Sequence, residues 1–386
     1  SMESDNKLFL LDAYALIYRA YYAFIKNPRI NSKGFNTSAI LGFVNTLEEV
    51  LKKENPTHIG VAFDPAGPTF RHEAFEQYKA QREETPEAIR LSVPIIKEII
   101  RAYRIPILEV AGYEADDVIG TLATEAGRQG IITYMMTPDK DYGQLVSDKV
   151  FMYRPKHTGG FEVMGVDEVK AKFDIQSPAQ VIDMLGLMGD SSDNIPGCPG
   201  VGEKTAQKLI AEFGSIENLL EHTDQLKGAL KTKVETNREM ITFSKFLATI
   251  KIDVPIQLDM DSLVREQADE DSLRQIFEEL EFRTLIDRVL KKENAGNGIT
   301  TPTGNKTAAE KSNLAPLPLF PEEGGAVQGD LFANFTGNEP GEAKNSNLAT
   351  LETLNCDYQL IDTEEKRTKI IQKLLTSKIL SLDTET

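Results

Sequence analysis

Cysteine is scarce in this chain of 386 residues: there are two, Cys198 and Cys356, far apart in sequence. That argues against a disulfide framework or a zinc site and points to a reducing compartment. Long apolar runs are missing too. The run at 8–11 is broken by Asp12 and Arg19, and no segment reaches the length of a membrane span. The N-terminus lacks the basic stretch that opens a signal peptide, and Ser1-Met2 reads as a scar ahead of the native start. Positive charge is short as well: 43 Lys and Arg stand against 60 Asp and Glu, for a net charge of −17. Taken alone, that balance argues against a nucleic-acid partner. The objection weakens if a group of the acids binds cations, so charge neither supports nor excludes DNA.

What the chain does have is carboxylates in short, punctuated clusters. Asp12 closes the apolar run 8–11 and Asp64 the run 59–63. Glu114, Asp116 and Asp117 open a helical stretch, Asp139 and Asp141 follow the run 131–136, and Asp190 and Asp193 sit in Gly-Asp-Ser-Ser-Asp-Asn. In a parallel α/β sheet, ligands bind in the crevice outside the carboxyl ends of the strands. A like-charged pair about 4 Å apart is unfavourable by about 4 kcal/mol at an effective dielectric of about 20. Nine acids converging on such a crevice therefore need cations. Oxygen-only ligands suit Mg²⁺ or Mn²⁺, and a pair of ions about 4 Å apart is a device for in-line phosphoryl displacement. Any one of the nine reads equally well as a turn or N-cap residue; the set does not.

Residues 7–150 alternate apolar strand runs (8–11, 59–63, 107–109, 131–136 and 150–153) with amphipathic helical stretches, which predicts a mostly parallel, helix-covered sheet. The polar stretch 70–104 has no strand of its own, and its basic, aromatic centre Tyr78-Lys79-Ala80-Gln81-Arg82 is locally positive. From about 166 to 290 the pattern is helical. In 296–348, 27 of 53 residues are Gly, Pro, Asn, Thr or Ser, the composition of a flexible linker. A new strand–helix–strand pattern then begins, and the stop just after the run 379–382 reads as a truncation.

Residues 194–206 nearly spell a P-loop, with Gly197 and then Gly202 after four residues. Glu203 intervenes before Lys204 and no strand precedes, so a nucleotide triphosphatase is rejected. Small residues before a helix still let backbone N–H groups approach a phosphate, with Lys204 adding a charge. Gly200-Val201-Gly202 between helices is a helix–hairpin–helix pattern, suited to gripping a DNA strand without reading bases.

With these residues in view, the chain resembles the 5′-nuclease (flap endonuclease) family found at the N-terminus of bacterial DNA polymerase I, over about residues 8–290. The resemblance rests on Phe-Asp at 63–64, Phe-Arg-His-Glu-Ala-Phe-Glu-Gln-Tyr-Lys-Ala-Gln-Arg at 70–82, Gly-Tyr-Glu-Ala-Asp-Asp-Val at 112–118, Asp-Lys-Asp at 139–141 and Gly-Asp-Ser-Ser-Asp-Asn-Ile-Pro-Gly at 189–197. It implies a 5′-nuclease domain at 1–295, with a helical arch at about 70–105 and a helical DNA-binding region at about 185–290. Asp12, Asp64, Glu114, Asp116, Asp117, Asp139, Asp141, Asp190 and Asp193 match metal-site carboxylates for two Mg²⁺ or Mn²⁺ ions. Lys79 and Arg82 fall where they would face the scissile phosphate. Arg71, Tyr78, Gly200, Gly202, Lys204 and Thr205 are expected to contact substrate. Two departures stand out. Thr137-Pro138 precedes Asp139 where relatives commonly carry Gly, and Cys198 replaces an aliphatic residue, where it reads as a small buried hydrophobe.

The resemblance implies cleavage of branched or nicked DNA by a cytoplasmic, nucleoid-associated monomer with no membrane contact. A PIN-type ribonuclease and a catalytically dead junction-binding module are the alternatives. PIN domains are commonly shorter and lack the hairpin region, and the complete acid set argues against a dead module. Residues 349–386 resemble the start of a 3′–5′ exonuclease-like domain, with Asp383 and Glu385 as its Asp-x-Glu motif, but carry too little of it for a second activity. Gln328, Asp330, Leu331 and Phe332, around Gly329, resemble the pentapeptide by which bacterial replication proteins dock on the sliding clamp.

Overall fold

The computed structural model describes residues 5–156 and 158–290. The linker at 296–348, its pentapeptide and the tail at 349–386 lie outside the described residues. The chain begins with β1 (Lys7–Asp12), α1 (Ala13–Ala23), α2 (Ser38–Lys53), β2 (His58–Ala62), α3 (Phe70–Ala74), α4 (Glu87–Ala102), β3 (Ile107–Leu108), α5 (Ala115–Arg128) and β4 (Ile132–Met136). A 3₁₀ turn (Lys140–Leu145) leads to β5 (Val150–Pro155) and β6 (Phe161–Met164). Helices follow: α6 (Val166–Phe173), α7 (Val181–Met188), α8 (Glu203–Phe213), α9 (Ile216–Glu221), α10 (Gly228–Thr236), α11 (Arg238–Ala248), α12 (Met260–Leu263), α13 (Glu270–Glu279) and α14 (Arg283–Leu290).

The strands form one sheet in the order β3-β2-β1-β4-β5-β6, parallel except for β6. Alternation along β1 shows why its apolar run is unbroken. Leu8 and Leu10 enter one core with α5, α7, α8 and α11, while Phe9 and Leu11 enter a second with α1, α2, α4 and α13. A parallel sheet covered on both faces must be apolar at consecutive positions. Each large side chain so buried contributes about 1.5–3 kcal/mol.

Register decides where the chain leaves the sheet. Leu11 pairs with Val61 of β2 on one side and Met136 of β4 on the other. Asp12, Asp64 and the segment 137–141 therefore emerge along the same edge. Strand order reverses at β1, since β2 and β3 extend one way and β4 to β6 the other. Such a switch point opens a crevice at the carboxyl ends of the strands.

Two features add to the sequence reading. The sequence pattern passed over β6, a short antiparallel edge strand returned by a turn containing Gly159 and Gly160. The stretch 70–105, expected as a helical arch, holds α3 and α4. Ile89, Val93, Ile96 and Ile100 recur at helical spacing along α4 and are buried in the second core. Residues 75–86, between α3 and α4, lack a regular helix or strand.

Candidate metal and nuclease centre

The strand ends deliver the acids. Asp12 ends β1 and caps α1, accepting the Ala15 N–H at 3.5 Å. Its Oδ2 also accepts from Tyr142 Oη at 2.8 Å and from Thr137 Oγ1 at 3.4 Å. Asp64, just beyond β2, accepts the Ala115 N–H at 2.8 Å at the start of α5. Asp139 caps the 3₁₀ turn, accepting the Asp141 N–H at 2.9 Å. Asp190 accepts the N–H and hydroxyl of Ser192 at 2.8 and 2.6 Å.

The loop carrying Asp190 and Asp193 is a tight return in which Asp190 and Ile195 exchange backbone hydrogen bonds at 3.0 and 2.8 Å. Gly189 and Gly197 close it with φ of 73° and 63°. A Cβ on Gly197 would lie 2.3 Å from the Gly189 nitrogen, so only glycine permits the crossing.

Two groups of three acids place carboxylate oxygens within 4.8 Å of one another: Glu114, Asp116 and Asp117, and Asp141, Asp190 and Asp193. Burial, with repulsion from Asp64, pushes the Asp12 carboxyl up to about 7. Burial likewise raises Asp139 to about 6. Asp116, desolvated beside Asp117, and Asp141, desolvated beside Asp139, lie well above the usual carboxylate range. Asp116 Oδ1 is buried with no hydrogen-bond partner, and so is Asp141 Oδ1, whose nearest cation is Lys140 Nζ at 3.8 Å. Crowded carboxylates with unpartnered buried oxygens are the donor set a hard divalent cation takes, so these residues fit Mg²⁺ or Mn²⁺.

One expected ligand, Asp117, is also engaged from the protein side. Asp117 is fully buried, and its two oxygens accept from Arg71 Nη2 and Nη1, each at 2.8 Å. The Lys251 and Glu114 backbone N–H groups add bonds at 2.8 and 3.1 Å. Asp117 is thus the counter-ion of Arg71. Burial alone would raise Glu114 too, but Lys79 and Arg71 overcome it and hold that carboxyl at about 2.

The same network holds two residues expected to contact substrate. Arg71 is buried, and its five N–H donors are taken by Glu114, Asp117 and the carbonyls of Leu247 and Thr249. Tyr78 is buried with its hydroxyl on Glu114 at 3.0 Å. Both brace the acids from the protein side. Lys79 and Arg82 do face the acids. Lys79 bonds Glu114, and its backbone, at a left-handed φ of 56°, donates to the Asp193 carbonyl at 3.0 Å. Arg82 pairs with Asp193 and donates to the Ser192 carbonyl at 3.2 Å. Asn194 Nδ2 closes the contact on the Gln77 carbonyl at 2.7 Å. The loop 75–82 is thereby stapled across the acids to the loop 190–194.

Gly200, Gly202 and Lys204 are exposed at the start of α8 and Thr205 is half-buried, while Cys198 and Val201 anchor the turn inside. Burial pushes the Cys198 thiol up, in keeping with a packed hydrophobe. Gly200 has a φ of 81°, and a Cβ there would meet Lys233 Nζ at 2.9 Å.

Residues 7–174 match the family model of a 5′–3′ exonuclease N-terminal resolvase-like domain, and residues 176–271 match that of a 5′–3′ exonuclease C-terminal SAM fold. The chain belongs to the 5′–3′ exonuclease family. Among its relatives, the DNA polymerase I of Bacillus subtilis is 43% identical over 291 residues, 75% of this chain and 33% of that protein. The DNA polymerase I of Bacillus caldotenax is 42% identical over 287 residues, 74% of this chain and 32% of that protein. The chain spans about a third of the length of the curated relatives it matches. The T5 5′-exonuclease with bound divalent metal ions (zinc) aligns at a TM-score of 0.55 and 20% identity, over 72% of this chain and 99% of that one. A bacteriophage T5 flap endonuclease in complex with DNA and metal ions aligns at 0.53 and 21%, over 72% and 100%. At such identities the likeness concerns the fold. This chain has that fold: an α/β domain with a mostly parallel sheet and a helical C-terminal region.

Sequence reasoning passed over Tyr142, the Ser192 carbonyl and the role of the Thr137 hydroxyl. Thr137 lay in view beside Asp139, but its reach to Asp12 spans 125 residues.

Proposed function

We propose that this member of the 5′–3′ exonuclease family is a divalent-metal-dependent, structure-selective 5′-nuclease acting on branched or nicked DNA. The observation that carries the reading is the pair of acid clusters at the switch point, with unpartnered carboxylate oxygens inside and Lys79 and Arg82 facing them. Asp12, Asp64, Asp116, Asp139, Asp141, Asp190 and Asp193 would hold two Mg²⁺ or Mn²⁺ ions, with Glu114 beside them. The chemistry such ions supply is water activation at neutral pH and charge neutralisation on a phosphodiester.

The chain's own part is placement. Arg71 and Tyr78 keep Glu114 in position from the protein side. Once Glu114 and Asp193 are otherwise compensated, Lys79 and Arg82 can turn to the phosphate and offset the charge that develops there. Gly200, Gly202, Lys204 and Thr205 would hold the DNA backbone at the N-terminus of α8, without base readout. Among the described residues no helix is long and apolar enough to cross a membrane.

A labelled 5′-flap duplex, incubated with the protein in MgCl₂ and separately in chelator, tests the reading. Release of a short 5′ product only with MgCl₂ is expected. Metal-independent cleavage, or cleavage of RNA but not DNA, would favour another nuclease class. The 328–332 pentapeptide would tether the nuclease to a sliding clamp. Binding of a 324–336 peptide to the cognate clamp at micromolar level, lost with Leu331→Ala and Phe332→Ala, tests that separately.

A further inference from the structure

Two hydroxyls converge on one oxygen of Asp12. Tyr142 Oη donates to Oδ2 at 2.8 Å, and Thr137 Oγ1 approaches the same atom at 3.4 Å. Thr137 Oγ1 accepts the Asp139 N–H at 3.1 Å, which leaves its own proton for Asp12. One hydroxyl thus ties the carboxylate leaving β1 to the backbone leaving β4, across the point where strand order reverses. Thr137 and Tyr142 are fully buried, so neither reaches substrate. The Tyr142 ring packs in the core shared with α5 and α7, where a phenylalanine ring would fill the same space. With Oδ2 occupied by two donors, the plane of the carboxylate is fixed. Oδ1 keeps only the long 3.5 Å approach of the Ala15 N–H and is the oxygen left for a cation.

We infer that Thr137 and Tyr142 are positioning residues that orient Asp12 for divalent-cation binding, an inference that rests on the metal-site reading above and deepens it. Hydrogen-bond partners behind a ligand fix its orientation, and their loss typically lowers metal affinity or activity about 10–100-fold.

Tyr142→Phe and Thr137→Val remove the donors with little change of shape. Calorimetric titration of the full chain with MnCl₂, without DNA, should give affinity lowered about 10–100-fold in each. Thr137→Ser, which keeps the hydroxyl, should bind as the wild type does. Flap cleavage by Tyr142→Phe should recover as MnCl₂ is raised, because the acids themselves remain. Wild-type Mn²⁺ affinity in both Tyr142→Phe and Thr137→Val would overturn the inference, as would a loss of cleavage that saturating MnCl₂ fails to restore. Failure of both variants to fold would assign the hydroxyls to the core instead, and would equally overturn it. Asp116→Ala serves as the reference: Mn²⁺ affinity unchanged there as well would mean that the metal-site reading itself is wrong.

Discussion

The acid edge of the sheet and the turn before α8, both proposed to meet phosphate, are made in opposite ways. At the edge the acids are buried or half-buried, packed against one another and braced by Arg71, Tyr78 and Lys79 from other elements. At the turn, Gly200, Gly202 and Lys204 lie exposed on a local backbone shape held by Cys198 and Val201 beneath. Crowding like charges away from water stores electrostatic energy that a cation can relieve. An exposed turn stores none. Changes at the edge should therefore alter rate, metal binding and stability together, and changes at the turn should alter affinity alone.

The sharpest break in that contrast comes from removing a ligand. Asp116→Ala or Asp139→Ala should reduce flap cleavage in MgCl₂ to background while leaving flap binding, read by fluorescence anisotropy, close to wild type. Ordinary turnover by both would remove the acid edge from catalysis.

Arg71→Met strikes the edge through its scaffold. Removing one partner of a buried ion pair leaves an uncompensated charge, here Asp117, and such changes typically destabilise by about 3–5 kcal/mol. Urea unfolding should show a loss of that size, together with lost cleavage. A variant of native stability would mean that Asp117 finds another partner or takes a proton.

Lys79→Ala should lower the single-turnover rate about 10²–10³-fold while changing DNA affinity little, because its charge matters most as the phosphate becomes more negative. An effect confined to binding would move Lys79 from the chemistry to the grip.

Metal-free protein should carry the mark of the crowded acids in its pH dependence. Asp12 and Asp139 sit at about 7 and about 6 in the folded chain, above the ordinary value of 3.8. Between those limits the folded state holds more protons than the unfolded one, so stability falls as pH rises. The penalty is fully present above about pH 7 and absent below about pH 4. Thermal unfolding in chelator should therefore give a higher Tm near pH 5 than near pH 8, and MgCl₂ should remove most of the difference. A chelated protein more stable at pH 8 would contradict the crowding.

The smallest effect belongs to the turn. Lys204→Ala should weaken DNA binding modestly and reduce the slope of log Kd against log salt by about 1, with the rate on bound substrate unchanged. A changed rate would bring α8 into the chemistry and dissolve the contrast.

The sequence by itself determined the five parallel strands and the acids at their ends. A sheet covered on both faces must be apolar at every position, so Leu8 to Leu11 and Ile59 to Phe63 announce themselves, and the first polar residue marks the exit. The exposed edge strand β6 has no such constraint and was passed over, and the apolar spacing in α4 was hidden among charged residues. Only the tertiary structure decided which acids have an oxygen to spare. Asp116 and Asp117 are neighbours of the same type, yet one has an unpartnered oxygen and the other is saturated by Arg71, 46 residues away. Arg71 reaches in turn to the Leu247 carbonyl, 176 residues on, which is why a side chain expected at the substrate is buried behind the acids. Hydrogen-bond saturation depends on partners that meet only when distant segments pack, and no local pattern encodes it.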